Sequence, residues 1–324
     1  CSGGSGIPGP QGPAGPPGDG ADATSPIVGY MFFDDVDGSA TVSPYENWIP
    51  IRGLDFDLRV SQTTSGAGQT YDGYPDISSD LSVVAQLTHL AATGQRANTV
   101  TIVIVDDSGH GYLTEILTFE LRDPAITGVR NMPAGPSSPA QFEMSLQPRL
   151  LNISYGVLIV ELDPLDPSAT GTYPLDKLAF VNETNAPSPE FLIDDPSPII
   201  SWSYSLNTTF LSTDPRSSGR TDASLVGIEA GLIPEALSII GGMISRTSAA
   251  EVKIYEYMSP LDPDSFFLST FSDPRFAYFR LFTDHGGSVR VEGDFDFRSV
   301  EWNYESSTGG GYIAQWDKFN QEGN

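Results

Sequence analysis

The stretch WIPIRGLDFDLRV covers residues 48–60, and its apolar and polar side chains alternate from Leu54 onward. Because successive side chains of a β-strand point to opposite faces of a sheet, this alternation predicts a half-buried strand. A shorter apolar run at residues 30–33 precedes it and predicts another strand, which ends near the turn residues Asp37 and Gly38. This part of the chain is therefore predicted to be β structure.

One helix is predicted after these strands. Its apolar residues recur three and four positions apart, and Gly94 stands where such a helix would stop. The apolar residues are Leu81, Val84, Leu87, Leu90 and Ala91. Further strands are predicted at residues 98–106, 112–121 and 141–155.

The second part of the chain repeats this order at a nearly constant offset. The matches are residues 54–58 with 202–206 (offset 148), Leu87 and Leu90 with Leu237 and Ile240 (150), residues 100–102 with 252–254 (152), Asp123-Pro124 with Asp273-Pro274 (150), and residues 149–155 with 298–304 (149). Each match is short, but five in one order are hard to obtain by chance. We therefore predict a tandem duplication, with β domains at 25–156 and 157–324 after an N-terminal segment at 1–24.

The end of the second copy resembles a known family. The stretch VRVEGDFDFRSVEWNYES from Val289, the run Gly309-Gly310-Gly311 and the final YIAQWDKFN resemble the C-terminal part of Hcp, the haemolysin-coregulated tube proteins of type VI secretion, which are relatives of phage tail-tube proteins. The first copy departs from this pattern at Ile153, where the second copy has Trp302, and the opening strand of the second copy is obscure within residues 178–193.

The resemblance implies a fold and a function. The implied fold class is mainly β, with two tandem Hcp-like β-barrels that each carry one short helix, preceded by a collagen-like segment. Proteins of this family form six-membered rings that stack into a hollow tube, and they are structural proteins with no active site. The resemblance therefore implies that this chain is not an enzyme.

The N-terminal segment has a glycine at every third position. These glycines are Gly3, Gly6, Gly9, Gly12, Gly15 and Gly18, with prolines between them. A collagen triple helix needs three chains, because only glycine fits at its crowded axis. Three duplicated chains would fill a six-membered ring, so the sequence predicts a homotrimer with pseudo-sixfold symmetry. The segment is expected to link successive rings or, in a competing interpretation, to form a stalk.

Cys1 followed by Ser-Gly-Gly resembles the start of a mature bacterial lipoprotein, so we expect a lipid anchor on Cys1 and an exported, extracellular or cell-surface protein. A cloning scar or an interchain disulfide is the alternative explanation for this residue. Three glycosylation sequons begin at Asn152, Asn182 and Asn207. Such short matches are common by chance in a chain of this length.

The charge balance excludes one class of partner. The net charge is −26, with 16 lysines and arginines against 42 acidic residues. Nucleic-acid binding depends on cationic side chains, so no nucleic-acid partner is expected. Acidic surfaces that meet between stacked rings favour weak calcium or sodium binding, at no particular residues. No cofactor is predicted.

Motifs of catalysis or tight metal binding are missing from the sequence. His89, His110 and His285 have no metal-ligand spacing, and there is no nucleophile elbow or phosphate-binding loop. Asp34, Asp35 and Asp37 lie before Gly38, yet the calcium-loop pattern needs an acidic residue where Phe33 stands. A solvated strand end explains these residues better.

The predicted function is that of a structural protein whose trimeric rings stack into an extracellular tube or filament. A surface lipoprotein adhesin, with the collagen-like segment as a stalk, is the alternative from another class. A cargo-loaded secretion tube component would fit the fold, but it has no need of an N-terminal cysteine and collagen-like repeats.

Overall fold

The computed structural model describes residues 26–34, 36–62, 69–72, 75–107, 113–134, 140–162, 169–172, 177–187, 196–209, 220–245, 249–284 and 286–318. The described part of the chain is mainly β, with one α-helix in the first half (residues 26–172) and one in the second half (residues 177–318). This confirms the predicted fold class, which is mainly β with one short helix in each half.

The first half contains eleven described strands and one α-helix. They are β1 (Gly29–Phe33), β2 (Ile49–Gln62), β3 (Gln69–Asp72), β4 (Pro75–Asp80), α1 (Val84–Thr93), β5 (Thr99–Asp107), β6 (Leu113–Arg122), β7 (Ala125–Met132), β8 (Gln141–Gln147), β9 (Leu150–Tyr155), β10 (Leu158–Leu162) and β11 (Ala169–Thr172). Their order across the sheet is β11-β10-β9-β6-β5-β1-β2-β4-β8-β7, and β3 pairs with β2 beyond β4.

The second half contains twelve described strands and one α-helix. They are β12 (Lys177–Asn182), β13 (Ser197–Ile199), β14 (Ser201–Ser203), β15 (Leu206–Thr209), β16 (Arg220–Ala223), β17 (Val226–Gly231), α2 (Glu235–Ser245), β18 (Glu251–Tyr257), β19 (Phe266–Ser272), β20 (Arg275–Thr283), β21 (Val289–Asp296), β22 (Ser299–Ser306) and β23 (Gly310–Asp317). With β13, β14 and β15 taken as three pieces of one strand, the order is β23-β22-β19-β18-β12-(β13, β14, β15)-β17-β21-β20. This order matches that of the first half from β10 to β7.

Irregular features recur at matching positions in the two halves. A bulge shifts the register between Ile126 and Gly128 in the β7·β8 pair, and another does so between Phe276 and Tyr278 in the β20·β21 pair. The turns before β7 and β20 each hold an aspartate at positive φ, 50° at Asp123 and 53° at Asp273. Aspartate tolerates this conformation better than most residues, and both are followed by proline.

The first strand of the second half runs in the opposite direction from its counterpart. β1 lies between β2 and β5 and is antiparallel to both. β12 lies between β13 and β18 in the matching position, but it is parallel to both. The opening strand of the second half, which the sequence left obscure, thus lies in the matching place but runs in the reversed direction.

The two helices differ in burial. α1 buries Leu87 fully, exposes its outer face and ends at Gly94 with φ 66°, as predicted. α2 is buried on all sides from Ala236 to Met243, because it packs on β20 and also against β10 and β11 of the first half. One continuous apolar core therefore includes residues of both halves.

One strand prediction was wrong, and β3, β4, β7, β10 and β11 were not predicted. Residues 141–155 form β8 and β9 instead of one strand, because a turn at Pro148 and Arg149 reverses the chain, and Arg149 N–H donates to the Arg122 carbonyl at 2.9 Å. β7 was missed, since its sequence AITGVRNM has a glycine and few apolar residues. The boundary at 156/157 stays a prediction, and β10 and β11 beyond it pair with the strands of the first half.

Candidate assembly edges

The two halves are joined by a pair of strands. β2 and β20 are antiparallel, and their register runs from Asp55 opposite Phe282 to Arg59 opposite Tyr278. At one end of this junction, Leu54 N–H donates to the Thr283 hydroxyl at 3.0 Å. The 15-stranded sheet is therefore continuous from the first half into the second.

An ionic clamp crosses this junction. The Arg280 guanidinium donates two hydrogen bonds to the Asp55 carboxylate, at 2.9 Å from Nε and 2.7 Å from Nη2. It also lies 3.6 Å from Glu292 on the adjacent strand β21, and 4.4 Å above the ring of Phe282. The hydrogen bonds to Asp55 raise the pKa of Arg280 above its usual value. Such a two-pronged pair fixes the register of two strands as well as holding them together.

In the second half, residues 203–207 correspond to the part of β2 that pairs with β20, and we call them the Tyr204 edge. Leu54 pairs with Ile77 and Trp202 pairs with Ile228, so β2 and β14 occupy matching positions at an offset of 148. β14 and β15 pair with β17 and β16 on one side. The other side of β14 and β15 corresponds to the side of β2 that pairs with β20. Within the described chain, no strand pairs with them there.

In the first half, residues 128–132 correspond to the part of β20 that pairs with β2, and we call them the β7 edge. The shared bulge aligns Gly128 with Tyr278, and hence Arg130 with Arg280, at an offset of 150. Arg130 pairs with Glu143 of β8, as Arg280 pairs with Glu292 of β21. Among the described strands, β7 pairs with β8 alone.

Aromatic residues support the Tyr204 edge. The rings of Trp202 and Tyr204 are stacked with 5.5 Å between centroids, and Phe271 meets Tyr204 edge-on at 5.7 Å. Trp302 Nε1 donates to the Tyr204 hydroxyl at 2.5 Å, and burial raises the pKa of Tyr204. The first half has fully buried Phe56 and Ile153 at the matching positions. This explains why the first half has Ile153 where the second half has Trp302: Phe56 has no hydroxyl to which a tryptophan at position 153 could donate.

Tyr45 forms a separate polar feature in the first half. The residue is 3% exposed, its ring stacks on Tyr30 with 4.6 Å between centroids, and it packs with Ala40 and Val103. Its hydroxyl donates a hydrogen bond of 2.8 Å to Glu115. Burial, followed by the contact with that carboxylate, raises the pKa of Tyr45 well above its usual value.

The predicted modification sites are placed unevenly. Cys1 and the collagen-like glycines lie outside the described residues. Asn152 is in the middle of β9, and its side-chain oxygen is buried without a hydrogen-bond partner. The Asn182 side chain accepts a hydrogen bond from Thr184 N–H at 3.1 Å, and Asn207 is exposed on β15. Glycosylation stays a prediction.

Of the histidines and aspartates considered above for metal binding, the structure describes His89, Asp34 and Asp37. His89 lies exposed on α1, as predicted, whereas His110, His285 and Asp35 are outside the described residues. Asp34 accepts a hydrogen bond from Asn98 at 3.3 Å. Among the described residues, no group of three or more His, Cys, Asp or Glu could hold a metal ion. The part of the chain that the structure describes also contains no helix long and apolar enough to cross a membrane.

Sequence reasoning missed both edges. Residues 54–58 and 202–206 show the same alternation, so the pattern alone does not tell which of them pairs with a further strand. The offset between the two halves was the one signal that could have found them.

Solved structures of Hcp proteins are similar to this chain. Hcp1 from Salmonella typhimurium is 15% identical, with 42% of this chain and 93% of that chain aligned at a TM-score of 0.36. Hcp1 from E. coli EAEC 042 is 15% identical, with 43% and 99% aligned at a TM-score of 0.38. Hcp3 from Pseudomonas aeruginosa, described as a secreted protein, is 14% identical, with 42% and 98% aligned at 0.34. No protein-family model and no curated protein sequence matches the chain.

Proposed function

We propose that this chain is a duplicated structural subunit, three copies of which form a pseudo-hexameric ring, and that these rings stack into an extracellular tube. Each chain supplies two ring positions, one from each half. The proposal assigns the protein no catalytic step and no cofactor.

One observation carries the proposal. Among the described strands, one junction, β2·β20, links two halves with the same strand order, and each half keeps one edge of the type used in that junction with no described strand beside it. The two edges are suited to pair with each other, since the Tyr204 edge corresponds to β2, the β7 edge corresponds to β20, and β2 pairs with β20. A head-to-tail contact between such edges repeats from chain to chain, and it produces a ring when the rotation closes.

The N-terminal segment supports three chains per ring. Six Gly-X-Y triplets form a triple helix only when three strands meet. Holding three such strands on one ring raises their effective concentration and offsets the entropy of ordering them. Eighteen residues in the triple-helical conformation span about 55 Å, which is long enough to link one ring to the next.

The acidic composition supports a location outside the cell. We propose that Cys1 carries a lipid, which would tether the assembly to the surface that exports it. A lipid on every Cys1 conflicts with threading the segment through a neighbouring ring, because the acyl chains would enter the lumen. Only some of the chains in a tube would therefore keep the lipid, or the segment would form a stalk.

The test is electron microscopy of the purified full-length protein combined with light scattering. We expect particles of three times the chain mass of 34.7 kDa, with threefold or pseudo-sixfold class averages around a lumen, and stacks of these rings. A variant lacking residues 1–24 should keep the rings and lose stability of the stacks. A monomer without a lumen at all concentrations would overturn the proposal and favour the adhesin.

A further inference from the structure

We propose that neighbouring chains join by strand pairing between the Tyr204 edge of one chain and the β7 edge of the next, and that this junction lacks the ionic clamp of the junction inside the chain. The inference deepens the proposed function and rests on it. The partner is a second copy of this chain.

The register follows from the junction inside the chain. There, Phe56 lies opposite Leu281, and Leu58 lies opposite Phe279. Adding 148 residues to the β2 side and subtracting 150 from the β20 side gives the register between two chains. Its pairs are Tyr204 with Asn131, Ser205 with Arg130, and Leu206 with Val129.

Backbone directions on the Tyr204 edge agree with this register. The Ser205 carbonyl accepts from Ser224 N–H at 2.9 Å, and Ser205 N–H donates to the Ser224 hydroxyl at 2.8 Å. Backbone groups of successive residues in a strand point to opposite edges. Tyr204 and Ser205 join β14 to β15, and by this alternation the backbone groups of Leu206, the first residue of β15, point outward, just as Leu54 N–H points toward β20 in the junction inside the chain.

The exposed fractions of the side chains also indicate that the Tyr204 edge lacks a neighbouring strand. Leu54, Phe56 and Leu58 are at most 2% exposed where β20 covers them. Their counterparts Trp202, Tyr204 and Leu206 are only half-buried, although they alternate in the same way.

The β7 edge shows the same contrast. The buried residues Phe279 and Leu281 correspond to the half-buried Val129 and the exposed Asn131. Arg130 has 72% of its side chain exposed, whereas Arg280 has 33%. A strand laid along this edge would cover Arg130 as β2 covers Arg280.

The Tyr204 edge and the β7 edge together hold only part of the ionic clamp. Arg130 keeps the carboxylate of its neighbouring strand, Glu143, but the residue that corresponds to Asp55 is Ser203. A serine cannot accept the two charge-assisted hydrogen bonds that a carboxylate accepts from arginine. The contact between chains is therefore the weaker of the two junctions, and rings should come apart into intact chains on dilution.

The substitution Ser203→Asp tests the missing clamp. In the full-length protein it should lower the dissociation constant of the chain-to-chain contact on the order of five- to tenfold, because it gives Arg130 a two-pronged partner. Ser203→Asn has the same shape without the charge and should give no such gain. The gain should also disappear in Ser203→Asp combined with Arg130→Gln. Mass photometry over a dilution series measures all of these constants.

The substitution Asn131→Pro tests the edge itself. In the proposed register Val129 lies opposite Leu206, whose backbone groups point outward, so the backbone groups of Val129 and of Asn131, two residues further on, face the neighbouring chain. Proline at position 131 would therefore remove a donor to that chain and leave the β7·β8 pair in place. We expect folded chains, judged by circular dichroism and the unfolding midpoint, that no longer form rings.

The outcomes separate this inference from the proposed function. Wild-type rings that are unaffected by both Ser203→Asp and Asn131→Pro would overturn the edge pairing while leaving the rings standing. A tighter contact in Ser203→Asn equal to that in Ser203→Asp would overturn the clamp. A wild-type chain that never associates would overturn both proposals.

Discussion

Replacing Tyr45 by phenylalanine should change how stability depends on pH. The substitution keeps the ring that stacks on Tyr30 and removes only the hydroxyl that donates to Glu115 at 2.8 Å. A hydrogen bond to a charged group contributes about 1.5–3 kcal/mol. Because Glu115 is exposed and regains water, we expect the variant to be less stable by about 1 kcal/mol near pH 8.

At alkaline pH this deficit should disappear. The pKa of Tyr45 is raised on folding, so its contribution to stability is complete below the unfolded pKa of about 10 and is lost as the pH rises above it. At pH 11 the unfolded chain gains on the order of 1 kcal/mol by releasing the proton that the folded chain retains. The variant cannot lose this contribution, so its free energy of unfolding should equal or slightly exceed that of the wild type.

Urea unfolding of both proteins at pH 8 and pH 11 measures the effect. Burial also raises the pKa of Tyr204 and Tyr278, but these residues titrate in both proteins and cancel in the difference. Tyr312→Phe, at a residue that is 68% exposed, controls for the loss of one tyrosine. A difference between wild type and Tyr45→Phe that stays constant from pH 8 to pH 11 would refute the reasoning.

Two further results are expected from the positions described above. Ile239 in buried α2 and His89 on the exposed face of α1 occupy matching positions, so Ile239→Ala should lower the free energy of unfolding by about 2–5 kcal/mol and His89→Ala by less than about 0.5 kcal/mol. Similar losses in urea unfolding would contradict the difference in helix burial. After secretion from a glycosylating host, peptide mass spectrometry should find a glycan on exposed Asn207 and none on Asn152, which lies in β9 between the paired strands β6 and β10. Modification of Asn152 would contradict this placement.

Local patterns in the sequence predicted β1, β2, α1, β5 and β6 of the first half. The alternation from Leu54 to Leu58 marks β2, and the spacing of Leu87 and Leu90 marks α1, because side-chain direction follows secondary structure at a fixed period. β7 escaped this approach. Gly128, Arg130 and Asn131 lie on an edge strand, where polar residues are tolerated and discourage aggregation.

Features that depend on distant partners could not be predicted from local patterns. The reversed direction of β12 leaves no trace in its sequence KLAFVN, because a strand alternates identically in both directions. The clamp between Asp55 and Arg280 joins residues 225 positions apart, and nothing near either residue indicates the other. The open edges were missed for the same reason, since pairing depends on which strand lies alongside.

The β2·β20 junction also has a consequence in time. As the chain emerges with its N-terminus first, β2 is complete long before β20 exists, because their paired residues are separated by more than 200 positions. At about 5–20 residues per second, this delay is on the order of ten to forty seconds. During that interval β2 can accept the β20 of an older neighbouring chain in place of its own. Chains made close together could thus exchange halves and become interlocked, whereas chains made far apart would close on themselves.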